Sequence, residues 1–352
     1  MYESFSIENF RGITNRVHLQ PMAPVNILVG DNGAGKTSAL EALWLHAQPS
    51  LNNLLASAAA FRALNADPMG WRWLLPASRP RSALRLWGKT GTDEWIVSLR
   101  EGLPTGQAVA LPETGPITDA GNNVTSGVPS TAVTAVTAPF ERTGYDTLTA
   151  IARFSANGRV VQDFPAFEPV ATALLDLPPG RYTQSVASAY TEARYRGRET
   201  TVLEGAQVLD PRIHRLSVVV TPYGTELAAD LPDVPPIPLK LLGSGAQSVL
   251  WALCESVQAP PGTRVLIDGF DNALHYSKLT AIWRALRRLW REAGLQAVVT
   301  THSRECLESA VDAFGADELA VHAFQRTAHG VAVGTFTKDM AQAAREFDRE
   351  LR

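Results

Sequence analysis

The apolar run Val25-Asn26-Ile27-Leu28-Val29 leads straight into Gly30-Asp31-Asn32-Gly33-Ala34-Gly35-Lys36-Thr37, and this junction constrains the fold more than any other part of the chain. A short, largely apolar run is what a strand covered on both faces requires. The glycine-rich octet has the spacing of a phosphate-binding P-loop. A helix-forming stretch from about Lys36 to His46 follows it, which is the context such a loop needs. Glycines let successive backbone N–H groups turn toward one point, and the helix N-terminus adds partial positive charge there. In such a loop Lys36 neutralises β- and γ-phosphates, and the Thr37 hydroxyl coordinates Mg²⁺.

A P-loop needs partners downstream, and the sequence offers three. Val265-Leu266-Ile267-Asp268 is an apolar strand ending in a carboxylate that can hold the Mg²⁺ shell. Leu242-Gly243-Ser244-Gly245-Ala246-Gln247 opens the helix before that strand and offers a second phosphate-friendly N-terminus. Thr300-Thr301-His302-Ser303 ends the following strand, where polar side chains point into the ligand crevice of an open α/β sheet. His302 there suits a γ-phosphate contact.

Between these motifs the chain reads as follows. Tyr2–Asn9 and Arg16–Gln20 are strands, Leu51–Leu75 is helical, and Arg81–Arg100 forms two strands. Residues 104–139 are nearly all small or polar, too poor in large apolar side chains to pack, and read as a long loop. Tyr145–Phe164 is strand-like, Ser185–Gln207 a helix, Leu216–Thr221 a strand, and Asp233–Pro238 a stiff proline-rich link. From Leu239 onward strands and helices alternate. The expected division is one domain: an N-terminal lobe over 1–50, an inserted helical and β region over 51–238, and a lobe over 239–352.

Composition narrows the function. The formal net charge is -3, so no global pull toward nucleic acid exists, and a DNA contact would need a local patch. The helix around Trp283–Arg291 carries one such stripe, Arg284, Arg287, Arg288 and Arg291, for which a solvated face is the default reading. Cys254 and Cys306 have no metal-ligand spacing and suit buried thiols in a reducing compartment. No run reaches the roughly 18 apolar residues that span a bilayer. The N-terminus lacks the basic and apolar regions of a signal peptide. A cytoplasmic location is expected.

Taken together the motifs resemble the ABC/SMC/RecF-like ATPases, and more closely the stand-alone OLD-type AAA ATPases. The resemblance includes the opening Ile7-Glu8-Asn9-Phe10-Arg11-Gly12-Ile13, the segment Asp210-Pro211-Arg212-Ile213 and Leu274-His275-Tyr276-Ser277, and is weakest over 76–185. It implies an ABC/SMC-type P-loop NTPase head of the α/β class, with an N-terminal mixed β-sheet, a parallel core sheet and an inserted segment. It implies ATP and Mg²⁺ as ligands. Arg11, Asn32, Gly33, Gly35, Lys36, Thr37, Ser38, Ser244, Gly245 and Gln247 would hold the nucleotide, Thr37 and Asp268 the metal. Asp268, Asp271 and His302 would serve hydrolysis. Two copies, or a higher homo-oligomer, would sandwich ATP between one P-loop and the other copy's 243–247 segment. The output would go to a separate effector such as a TOPRIM-type nuclease in phage defence. A RecF-like DNA-repair ATPase and an ATP-binding scaffold with little hydrolysis are the alternatives.

One departure stands out. The resemblance calls for a glutamate directly after Asp268, to orient the attacking water, and the chain has Gly269. Either Asp271 substitutes or hydrolysis is slow. Glycine leaves room, so a glutamate placed there is expected to fit with little strain.

Overall fold

The computed structural model describes residues 1–49, 70–78, 82–101, 134–154, 160–163, 173–176, 183–222, 224–241, 244–272 and 274–346. Its centre is a six-stranded sheet in the order β16-β15-β3-β14-β13-β9. Five of these strands run parallel: β15 (Leu319–Thr327), β3 (Val25–Gly30), β14 (Gln296–Thr300), β13 (Arg264–Ile267) and β9 (Ala173–Asp176). The edge strand β16 (Gly330–Thr337) runs antiparallel to β15.

Alternation along these strands assigns each side chain to a face. Val25, Ile27, Val29, Val265, Ile267, Ala297 and Val299 point into one hydrophobic cluster, and Leu28, Leu266 and Val298 into another. Both faces are therefore covered, which is why β3 and β14 are buried along their whole length.

The second cluster lies against α1 (Lys36–Ala47) and a seven-stranded antiparallel sheet in the order β2-β1-β4-β5-β6-β7-β8. That sheet comprises β1 (Ser4–Glu8), β2 (Val17–Leu19), β4 (Leu84–Thr90), β5 (Asp93–Glu101), β6 (Thr134–Arg142), β7 (Leu148–Phe154) and β8 (Val160–Asp163). Ala39, Leu40, Ala42, Leu43, Leu45 and Ala47 leave α1 apolar on every side, the composition of a helix enclosed by protein.

Among the described residues the first cluster takes the other α-helices: α2 (Thr183–Tyr195), α3 (Glu199–Leu209), α4 (Ser244–Ser256), α5 (Tyr276–Glu292), α6 (Arg304–Ala313) and α7 (Lys338–Glu346). On α5 the buried set Leu279, Ile282, Trp283, Leu286, Leu289 and Trp290 recurs at helical spacing. A three-stranded sheet, β10 (Arg215–Thr221), β11 (Gly224–Asp230) and β12 (Ile237–Pro238), completes this side. Among the described residues no helix is long and apolar enough to cross a membrane.

Several expectations are corrected. The loop expected over 104–139 ends early, because Thr134–Arg142 pairs with β5 and β7 as β6. Residues 102–133 lie outside the described residues. The single helix over 185–207 is two, broken at Gly197, whose φ of +71° no helix continues. Of Leu51–Leu75, residues 51–69 lie outside the described residues, and Gly70–Leu74 is one 3₁₀ turn. β9 and β11 were not expected. β9 has four residues and is fixed by pairing with β13, a long-range contact that leaves no local signature. The segment 51–238 is woven into the fold: it supplies most of the antiparallel sheet and, through β9, an edge of the core sheet.

Candidate nucleotide site

β3, β14 and β13 lie side by side, and their carboxyl ends deliver the three motifs to one place, where open parallel sheets bind ligands. Gly30 ends β3 against Phe324 of β15. A Cβ there would lie 2.2 Å from the Phe324 carbonyl oxygen, so only glycine permits this approach. The loop turns outward through Asp31, Asn32 and Gly33, all exposed, and returns to α1. Gly35 caps α1 in a left-handed conformation with no side-chain hydrogen bond, leaving the first-turn amides to the loop. Ser38 is buried in that turn.

Lys36 is buried, and its ammonium donates to the carbonyls of Gly30 (2.8 Å) and Asp31 (2.9 Å). Burial lowers its pKa, opposed by the charges of Asp268, Asp31 and Asp271. His302 Nδ1 lies 3.3 Å from Lys36 Nζ. Desolvation and then the Lys36 charge hold the His302 pKa below its ordinary value, which favours a neutral imidazole. The Thr37 hydroxyl sits 3.0 Å from both carboxylate oxygens of Asp268. A hydroxyl and a carboxylate this close form a hard-oxygen donor pair that suits Mg²⁺.

Sequence reasoning missed the part Thr300 plays. Its hydroxyl donates to Asp268 Oδ1 (2.7 Å) and accepts from the Gly269 amide (2.8 Å), locking the carboxylate to the turn that follows it. The one signal was its place in the Thr-Thr-His-Ser cluster. Thr301 is the matching clamp: its hydroxyl donates to Asp271 Oδ1 and accepts from the Ser303 amide. Asp271 is thus tied to the end of β14.

Gly269 overturns the expectation of room for a side chain. Its φ is +68°, and a Cβ on this backbone would lie 2.1 Å from Asn272 Nδ2. Phe270 is buried and stacks on Trp283 with ring centroids 4.0 Å apart, and its amide bonds the Thr300 carbonyl (3.0 Å). The Asn272 amide returns to the Gly269 carbonyl (2.9 Å). The turn is held from several sides.

The remaining candidates are dispersed. Arg11 lies in the tight turn Phe10–Ile13, whose Ile13 packs beside Gly35, and its guanidinium is ion-paired at 2.6 Å to Glu41, fully buried on α1. Gly243 lies outside the described residues. Ser244 opens α4, with Gly245 buried and Gln247 half-buried. α4 packs on the face of the core sheet opposite α1. His275 caps α5, accepting from the Ser277 amide. Asp210 holds Arg212 at 2.7 Å, and the turn it makes delivers Ile213 to the core. Both segments have local structural work. Of the arginine stripe, Arg287 pairs with Glu318 and Arg288 with Glu204.

Residues 1–69 match the family model of an AAA ATPase domain. No curated protein matches the chain. Among solved structures it is similar to an Smc head bound to the C-winged helix domain of ScpA. The two are 12% identical with a TM-score of 0.50, over 97% of this chain and 99% of that one. It is also similar to the Smc head with an extended coiled coil bound to the C-terminal domain of ScpA, derived from Pyrococcus furiosus. There the identity is 11% and the TM-score 0.50, over 99% of both chains. The fold is that of an ABC/SMC-type P-loop head.

Proposed function

We propose that the chain is an ATP-binding switch that closes as a dimer around ATP-Mg²⁺ and passes its state to a partner protein. Lys36 and the amides of residues 32–37 bind the phosphates, and Arg11 steadies α1 through Glu41. Thr37 and Asp268 hold the metal. A Mg²⁺ ion held there would supply positive charge to offset the charge on the phosphates. His302, kept neutral beside Lys36, hydrogen-bonds the γ-phosphate.

The observation that carries the dimer is the placement of α1 and α4 on opposite faces of the core sheet. The N-terminus of α4 has the makings of a phosphate site but stands across the sheet from the helix that opens at Lys36. A second copy can supply it. The solved heads each hold a domain of ScpA, which supports a partner protein as the output. In this reading the partner is a separate effector such as a TOPRIM-type nuclease, and the setting is phage defence.

Light scattering with and without ATP-Mg²⁺ tests the switch. The parent should gain mass with ATP, and Ser244→Arg should bind ATP but stay monomeric. Equal mass under all conditions, with ATP bound, would sink the dimer reading. Salt-sensitive DNA affinity would favour direct action on DNA. A second reading, binding with slow turnover, is favoured by Gly269, which places no carboxylate beside Asp268.

A further inference from the structure

We propose that Asn272 orients the attacking water in this site. The inference rests on the ATP-binding reading above and adds to it the group that replaces the absent carboxylate. On this backbone the space a side chain at 269 would enter is filled by the Asn272 carboxamide, whose Nδ2 lies 2.1 Å from that Cβ position and whose Cγ lies 2.9 Å from it. The chain therefore places a polar side chain against Gly269, the residue that follows Asp268, from three residues downstream of that glycine.

The turn aims it. Phe270 is plugged into the core against Trp283, and Asp271 is tied to Thr301. The Asn272 amide is bound to the Gly269 carbonyl, which fixes the backbone from which the side chain projects. Asn272 is exposed, so solvent water reaches it. Asp271 is the rival for the role, but one of its oxygens is already held by Thr301.

A carboxamide can position water without acting as a base, as the glutamine of small GTPases does. The Asn272 carbonyl oxygen accepts a hydrogen bond from the water. The water oxygen bonds to the γ-phosphorus as the bond to the bridging oxygen of ADP breaks, and the water proton passes to the released phosphate. The amide itself takes no proton. Turnover is therefore slow, because orientation is retained and base assistance is lost.

The test measures ATP titration and steady-state phosphate release for the parent, Asn272→Ala, Asn272→Asp and Asp271→Ala. Asn272→Ala should bind ATP as the parent does while kcat falls about 10-fold or more, short of the full range of a positioned acid–base group. Asn272→Asp restores an acceptor, adds a base, and should match or exceed the parent. A residue that merely closed the turn would not give that split between kcat and affinity or that rescue. Unchanged kcat in Asn272→Ala overturns the inference, as does a parent that binds ATP and releases no phosphate. A larger kcat loss in Asp271→Ala than in Asn272→Ala moves the role to Asp271. A parent that does not bind ATP overturns the underlying reading instead.

Discussion

Two strand ends meet at the site and are built on opposite terms. β3 opens into a loop whose glycines clear space, so that backbone amides and a lysine can face an anion. β13 opens into a turn whose one glycine removes a side chain, and the space is taken by a neighbour. The first end is specified locally, residue by residue. The second is specified by long-range ties: Thr300 to Asp268, Thr301 to Asp271, Phe270 to Trp283. Binding chemistry therefore sits on the stronger sequence signal, and whatever chemistry follows binding sits on the weaker one.

The largest effect should come from breaking the first end. Lys36 is buried and charged, with both loop carbonyls near it. Lys36→Ala should weaken ATP binding by roughly 100-fold, since charged hydrogen bonds contribute about 1.5–3 kcal/mol and each 1.4 kcal/mol is tenfold. Titration of a folded variant decides this. Unchanged affinity would mean that the loop is not the nucleotide site.

A smaller effect, on stability, should come from the support beneath that loop. Glu41 is fully buried and pairs with Arg11, which is 13% exposed. Glu41→Ala leaves the guanidinium without its carboxylate and should cost about 3 kcal/mol by chemical denaturation, the low end for a broken buried pair. Glu41→Gln should cost less, because it keeps a hydrogen-bond acceptor. If both variants unfold like the parent, Arg11 is not anchored by Glu41 and is free to serve the phosphates directly.

The same contrast explains what the sequence made legible. The P-loop, the Asp268 strand and the Thr-Thr-His-Ser cluster could be placed because each couples an apolar strand to a polar end, and the structure brings Lys36, Thr37, Asp268 and His302 together. The alternation of strands and helices after Leu239 pointed to an α/β pattern, and the parallel core sheet was what the resemblance implied. β9 could not be placed, because its four residues are strand only by virtue of lying beside β13. Nor could Asn272, since nothing in Gly-Phe-Asp-Asn says that residue 272 folds back over residue 269. Arg11 fell between: the motif put it near the P-loop, and the buried partner that holds it was invisible without the packing of α1.

The smallest effect distinguishes the two ends most sharply. A glutamate at 269 would restore the residue type that the resemblance calls for, and if room were the only issue it would speed hydrolysis. The backbone argues otherwise. A side chain at φ +68° costs about 1–3 kcal/mol, and its Cβ would displace the Asn272 carboxamide from 2.1 Å away. Asn272 is exposed and can swing clear, so the fold survives, but the group that orients water leaves as the new carboxylate arrives from a strained position. Gly269→Glu should therefore lower the melting temperature by a few degrees and change phosphate release by less than about 10-fold in either direction, well short of the gain a positioned base would give. Gly269→Ala separates the two causes, because it carries the strain without the carboxylate. Should Gly269→Glu turn over 100-fold faster with an unchanged melting temperature, the turn would be free to rearrange, and the second strand end would be as locally specified as the first.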